Sequence, residues 1–124
     1  MPAMFLLIGN YEKDDHWCKL LRESLAPLGQ LEVQGIEAAL ECLLQNCYDL
    51  IIVEDSAIGD LPQLLRRLTE HRPGIPIIVI SASPTWLRAR NAFRTGATDY
   101  IRKSFSKREL FSVFRDILAR VLPS

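Results

Sequence analysis

The stretch Asp49-Leu50-Ile51-Ile52-Val53-Glu54-Asp55 constrains this chain more than any other. Four consecutive apolar residues, three of them β-branched, end abruptly in two carboxylates. A run that short and that uniformly apolar fits a central parallel strand covered on both faces. Acids at its C-terminal end stand where open α/β sheets bind their ligands.

The remainder alternates around it. Met4–Ile8 is expected as a buried strand closed by a Gly9-Asn10 turn. Asp14 or Asp15 caps a helix to about Leu25, with Trp17, Leu20, Leu21 and Leu25 on one face and Pro27 and Gly29 beyond its end. Leu31–Val33 is a short second strand. Gly35 leads into a helix over Ile36–Asn46 with Ile36, Ala39, Leu40, Leu43 and Leu44 at helical spacing. After Leu50–Val53, Asp60 caps a third helix reaching His71, striped by Leu61, Leu64, Leu65 and Leu68. Ile75–Ile80 is a fourth strand, with Pro76 near its start, where a missing donor is tolerated. A fourth helix, Thr85 to Thr95, places Trp86, Ala89 and Phe93 at helical spacing, and Gly96 is its C-cap. Thr98–Arg102 makes a short fifth strand. Ser106 caps a last helix to about Val121, with Leu110, Phe111, Val113, Phe114, Ile117, Leu118 and Val121 as its apolar stripe.

Five strand–helix alternations demand parallel strands, right-handed crossovers and helices on both faces. The expectation is an α/β domain with a doubly wound five-stranded sheet and five helices, one domain over residues 1–124.

Composition removes several function classes. The N-terminal apolar run is too short, and lacks the basic flank, for a signal peptide. No stretch approaches the roughly 18 apolar residues of a membrane span. A cytoplasmic location without membrane contact is therefore expected. Cys18, Cys42 and Cys47 are odd in number and lack metal-binding spacing, so they are expected as small core residues in a reducing compartment. The net charge of zero hides an asymmetry: residues 1–62 hold 11 acids against 3 bases, and residues 63–124 hold 4 against 12. These bases are spread out and not interleaved with aromatics, which argues against direct nucleic-acid binding. No Gly-rich phosphate loop follows the first strand, and His16 and His71 have no evident catalytic partners, so no enzyme activity is expected.

From Ile75 to Phe105 the chain resembles the receiver domain of bacterial two-component response regulators. The resemblance rests on Pro76-Ile-Ile, Ser81-Ala82, Gly96-Ala97, Tyr100 and Lys103-Ser104-Phe105, with 22 residues from Ser81 to Lys103. Tyr48-Asp49-Leu-Ile-Ile-Val matches the family's third strand. The resemblance covers essentially the whole chain and implies the flavodoxin-like strand order 2-1-3-4-5. It also places Glu54 at the phosphoacceptor position, where the family has aspartate, with Asp55 as the rival acceptor.

Such domains accept a phosphoryl group with Mg²⁺ held by the acceptor and one of two acids after the first strand. Mg²⁺ requires hard oxygen ligands near octahedral geometry. The resemblance assigns Ser81 and Lys103 to the phosphate pocket and Tyr100 to the switch aromatic, a role that competes with an ordinary half-buried strand tyrosine. The acidic-pair positions fall on Gly9 and Asn10, the residue after Lys103 is Ser104 in place of a cis-proline, and the loop Pro and Gly after the acceptor are missing. These departures point to a pseudo-receiver acting through protein–protein contacts, with no cofactor. Glu54 is then either a built-in imitation of the phosphorylated state or an inert carboxylate paired with Lys103. The alternative is a working Mg²⁺-dependent acceptor, Asp55 or Glu54, served by first-loop acids Glu12, Asp14 and Asp15; against it, Asp14 and Asp15 are read first as helix caps. The resemblance implies a histidine kinase or an output domain as partner. It also implies a possible homodimer through the fourth helix, fifth strand and fifth helix, where Arg88, Arg90, Arg94, Arg102, Lys107, Arg108 and Arg115 lie.

Overall fold

The computed structural model describes residues 2–9, 11 and 15–122. Its strands are β1 (Ala3–Ile8), β2 (Gly29–Gln34), β3 (Leu50–Glu54), β4 (Ile77–Ser81) and β5 (Asp99–Arg102). The helices are α1 (His16–Leu25), α2 (Ile36–Gln45), α3 (Leu61–His71), α4 (Trp86–Thr95) and α5 (Lys107–Val121), and a single 3₁₀ turn, Asp55–Ala57, follows β3. All neighbouring strands are parallel, in the order β2-β1-β3-β4-β5. The expected flavodoxin-like doubly wound sheet with five helices is the fold observed.

Strand alternation divides the core in two. Phe5, Leu7, Leu50, Ile52, Ile78 and Ile80 face α1 and α5, packing on Trp17, Leu21, Leu25, Leu110, Phe114 and Ile117. Leu6, Ile8, Ile51, Val53, Ile77 and Val79 face the other way, onto Ala39, Leu40, Leu43, Leu64, Leu65, Leu68 and Ala92. Strand β3 is buried along its whole length because both layers cover it. Local chemistry sets the helix starts: Asp15, Asp60, Thr85 and Ser106 accept from the backbone N–H three residues on. Gly96 ends α4 at φ +126, and a Cβ there would stand 2.6 Å from Thr69 Cγ2.

Several expectations are corrected. Strand β4 begins at Ile77 because Pro76 has no N–H; its carbonyl accepts from Ile51 at 2.9 Å. Strand β3 runs one residue further than expected, to Glu54, which pairs with Ile80. Leu44 is exposed, and so is Cys47, while Cys42 is half-buried, so Cys18 alone is a core thiol. On α4 the residues at helical spacing turn outward, a direction that the spacing had left open: Trp86 is 74% exposed and Phe93 49%, and within the helix only Ala92 is buried. Small Ala92 lets α4 lie close against the sheet layer, and the large side chains point away.

Candidate functional site

The sheet fixes where Glu54 points. Leu50 and Ile52 face α1 and α5, so strict alternation sends Glu54 to that side and Asp55 to the other. Glu54 is only 5% exposed. Its Oε1 accepts from Lys103 Nζ at 2.9 Å and from Ser56 Oγ at 2.7 Å, and its Oε2 accepts from the Tyr11 hydroxyl. Burial pushes the Glu54 carboxyl pKa up. The bonds from Tyr11, Lys103 and Ser56, with the Lys103 charge, outweigh burial and hold it below the ordinary carboxylate value. Glu54 is an ionised, hydrogen-bonded, nearly solvent-free group.

Aromatic rings hold its partners. The Lys103 ammonium lies 4.5 Å from the centroid of the Trp17 ring and 5.6 Å from that of Phe105, within cation–π range of both. Trp17 Nε1 donates to the Ser104 carbonyl at 2.9 Å, tying α1 to the loop that carries Lys103. Tyr11 stacks on Trp17 with centroids 6.2 Å apart. Burial, then the bond to Glu54, pushes the Tyr11 hydroxyl pKa far up, so it remains a donor.

The other side of β3 carries a second group. Asp55 Oδ2 accepts from the Tyr100 hydroxyl at 3.2 Å, so the tyrosine ring is turned inward. Ser81 is fully buried and belongs here: its hydroxyl accepts from Ser83 N at 3.2 Å and also contacts the Tyr100 hydroxyl. Burial raises the Tyr100 pKa. The structure therefore brings Lys103 to Glu54 but places Ser81 with Asp55 and Tyr100, because Ser81 and Asp55 extend from their strands toward the α3/α4 layer.

The positions of the family's acidic pair do not supply an acid. A Cβ at Gly9 would stand 2.5 Å from Tyr11 Cε2, so a carboxylate at 9 and the Tyr11 ring, as placed, exclude one another. Asp15 is committed to capping α1, accepting from Cys18 N at 2.8 Å. Asn10, Glu12 and Asp14 lie outside the described residues. Among the described residues no three His, Cys, Asp or Glu converge in a way that holds a metal ion. Glu54, the central ligand that Mg²⁺ would need, already has three protein donors. On this donor set the described residues do not fit Mg²⁺.

Tyr11, Ser56 and Trp17 are the site residues that sequence reading missed. Trp17 carried only a helix-stripe signal. Tyr11 and Ser56 stand just past the C-terminal ends of β1 and β3, the sheet edge where ligand groups gather, and that placement was the available signal.

The family model for the response regulator receiver domain matches residues 12–115. This chain belongs to that family, the receiver domains of two-component signalling. It is 35% identical to the response regulator protein FleR of Pseudomonas aeruginosa over 97% of this chain and 24% of that protein. The chain spans between 14% and 48% of the length of the curated relatives it matches. Among solved structures, it superposes with TM-score 0.79 and 16% identity on a CheY-like receiver domain protein from Methanospirillum hungatei, covering 97% of this chain and 96% of that one. An atypical orphan response regulator, whose structure is described as revealing a phosphorylation-independent regulatory mechanism, matches with TM-score 0.75 and 26% identity over 95% of this chain and 94% of that one.

Proposed function

We propose that this receiver domain signals without aspartyl phosphorylation, with Glu54 standing at the phosphoacceptor position as a fixed charge. One observation carries this reading: the Glu54 carboxylate is buried and takes hydrogen bonds from Lys103, Ser56 and Tyr11. A phosphoacceptor needs a free carboxylate oxygen, a metal beside it and a lysine available to the incoming phosphoryl group. Here Lys103 is already spent on Glu54. The inward Tyr100 ring is the placement that the family resemblance associates with the active state. Likeness to an atypical, phosphorylation-independent regulator points the same way.

The domain acts by protein–protein contact, with a histidine kinase or an output domain as partner and with no turnover chemistry. The exposed side of α4 supports contact of this kind, since Trp86, Leu87 and Phe93 stand out among Arg88, Arg90 and Arg94. A homodimer through α4, β5 and α5 is the symmetric form of the same contact. The test is a titration with beryllofluoride and Mg²⁺ followed by Trp17 fluorescence and amide chemical shifts. The reading expects neither signal to change; a saturable change centred on Glu54 and Lys103 overturns it.

A further inference from the structure

A cavity of about 450 Å³ opens on the opposite side of β3 from Glu54, between the segment after β3 and the start of α4. Its size lies within the roughly 300–1,000 Å³ typical of small-molecule sites. Ile58, Leu61, Pro62 and Ala92 give it an apolar lining. Asp55 and Asp60 also line it, and among the described residues neither makes an ion pair. The cation on its wall, Arg88, has its Nη1 turned onto the Ser83 carbonyl at 3.3 Å. Two carboxylates against the one guanidinium leave the cleft with a net negative charge beside its apolar wall, which is complementary to a positively charged organic molecule.

We propose that this cleft binds a small organic cation, an amine or amidine on a flat apolar body, and that occupancy is sensed through Tyr100. The amine pairs with Asp55 and Asp60 while the apolar body covers Ile58, Leu61 and Ala92. Asp55 is the acceptor of the Tyr100 hydroxyl, so a ligand on that carboxylate acts directly on the inward tyrosine. This rests on the phosphorylation-independent reading: the ligand takes the place of phosphate as the input, on the other face of the same strand.

The test is an NMR titration of the whole chain with phenethylamine, with 3-phenylpropionate as its anionic counterpart and Mg²⁺ alone as a third arm. Phenethylamine is expected to saturate with a Kd on the order of 1 mM, the range of so small a probe. It should move the Ile58, Leu61, Ala92 and Tyr100 ring signals. Asp60→Asn should raise that Kd about fivefold, and the fold is kept because Asn caps a helix as well as Asp does. Equal binding of the anion, an unchanged Kd in Asp60→Asn, or Mg²⁺ binding that phenethylamine does not displace, each overturns the assignment. Mass analysis of the same protein after treatment with a phosphodonor separates the two proposals. A phosphoryl adduct with an intact titration overturns the phosphorylation-independent reading. An unchanged mass with a flat titration overturns the cleft assignment.

Discussion

Replacing Lys103 with methionine removes the cation from Glu54 while retaining most of the side-chain volume. The Glu54 side chain is 7% exposed and that of Lys103 16%, so the pair sits largely out of water. Removing one partner of a buried pair costs about 3–5 kcal/mol, because the remaining charge is left uncompensated. Tyr11 and Ser56 still donate to Glu54, which places the loss near the lower end, about 3 kcal/mol. For a chain of 124 residues that is a Tm lower by roughly 10 °C. The pH dependence is the sharper signature. In the native chain the Glu54 pKa is lowered on folding, so its stabilisation is complete above the unfolded value and is lost as pH falls through the folded one. Without Lys103 burial dominates and raises the folded pKa above the unfolded value, so the penalty is present at neutral pH and relieved by acid. Urea unfolding at about pH 7.5 and about pH 5 should show the gap narrowing on acidification. Glu54→Gln in the Lys103→Met background removes the buried charge and should recover about 2 kcal/mol. A deficit under about 1 kcal/mol, or one that does not change with pH, refutes the ion-pair account.

Other expectations follow from single contacts. Tyr11→Phe leaves Glu54 Oε2 one donor short and should cost about 1–3 kcal/mol at neutral pH by urea unfolding, and less in acid, where Glu54 protonates. Gly96→Ala forces a side chain to φ +126 against Thr69 and should destabilise by about 1–3 kcal/mol in the same assay; an unchanged midpoint would contradict that backbone. An aromatic thiol reagent should label exposed Cys47 in the native chain well before buried Cys18, whose pKa is raised by burial. Labelling of both at one rate would place Cys18 outside the core.

The fold was legible because its signals were local and repeated. Uniform apolar runs at Phe5–Ile8 and Leu50–Val53 marked strands buried on both faces, and Asp15, Asp60 and Ser106 marked helix starts that the structure shows capped. Helical spacing alone left α4 unoriented. It identified Trp86, Ala89 and Phe93 as one face but not which way that face turns, and the single buried Ala92 decides it. At the site, Lys103 was found through its motif, yet Tyr11 and Ser56 were not. Their contact with Glu54 spans 43 residues in one case and two in the other, and nothing in local periodicity reports either. Ser81 shows the same limit. Its place after β4 was readable, but strand parity sends its hydroxyl to Tyr100, away from Glu54.

The most direct test of Glu54 as a fixed charge is intact-mass analysis after incubation with acetyl phosphate and Mg²⁺, with fragmentation to locate any adduct. The account predicts an unchanged mass for the native chain. A stoichiometric, base-labile phosphoryl adduct on Glu54 or Asp55 would contradict it.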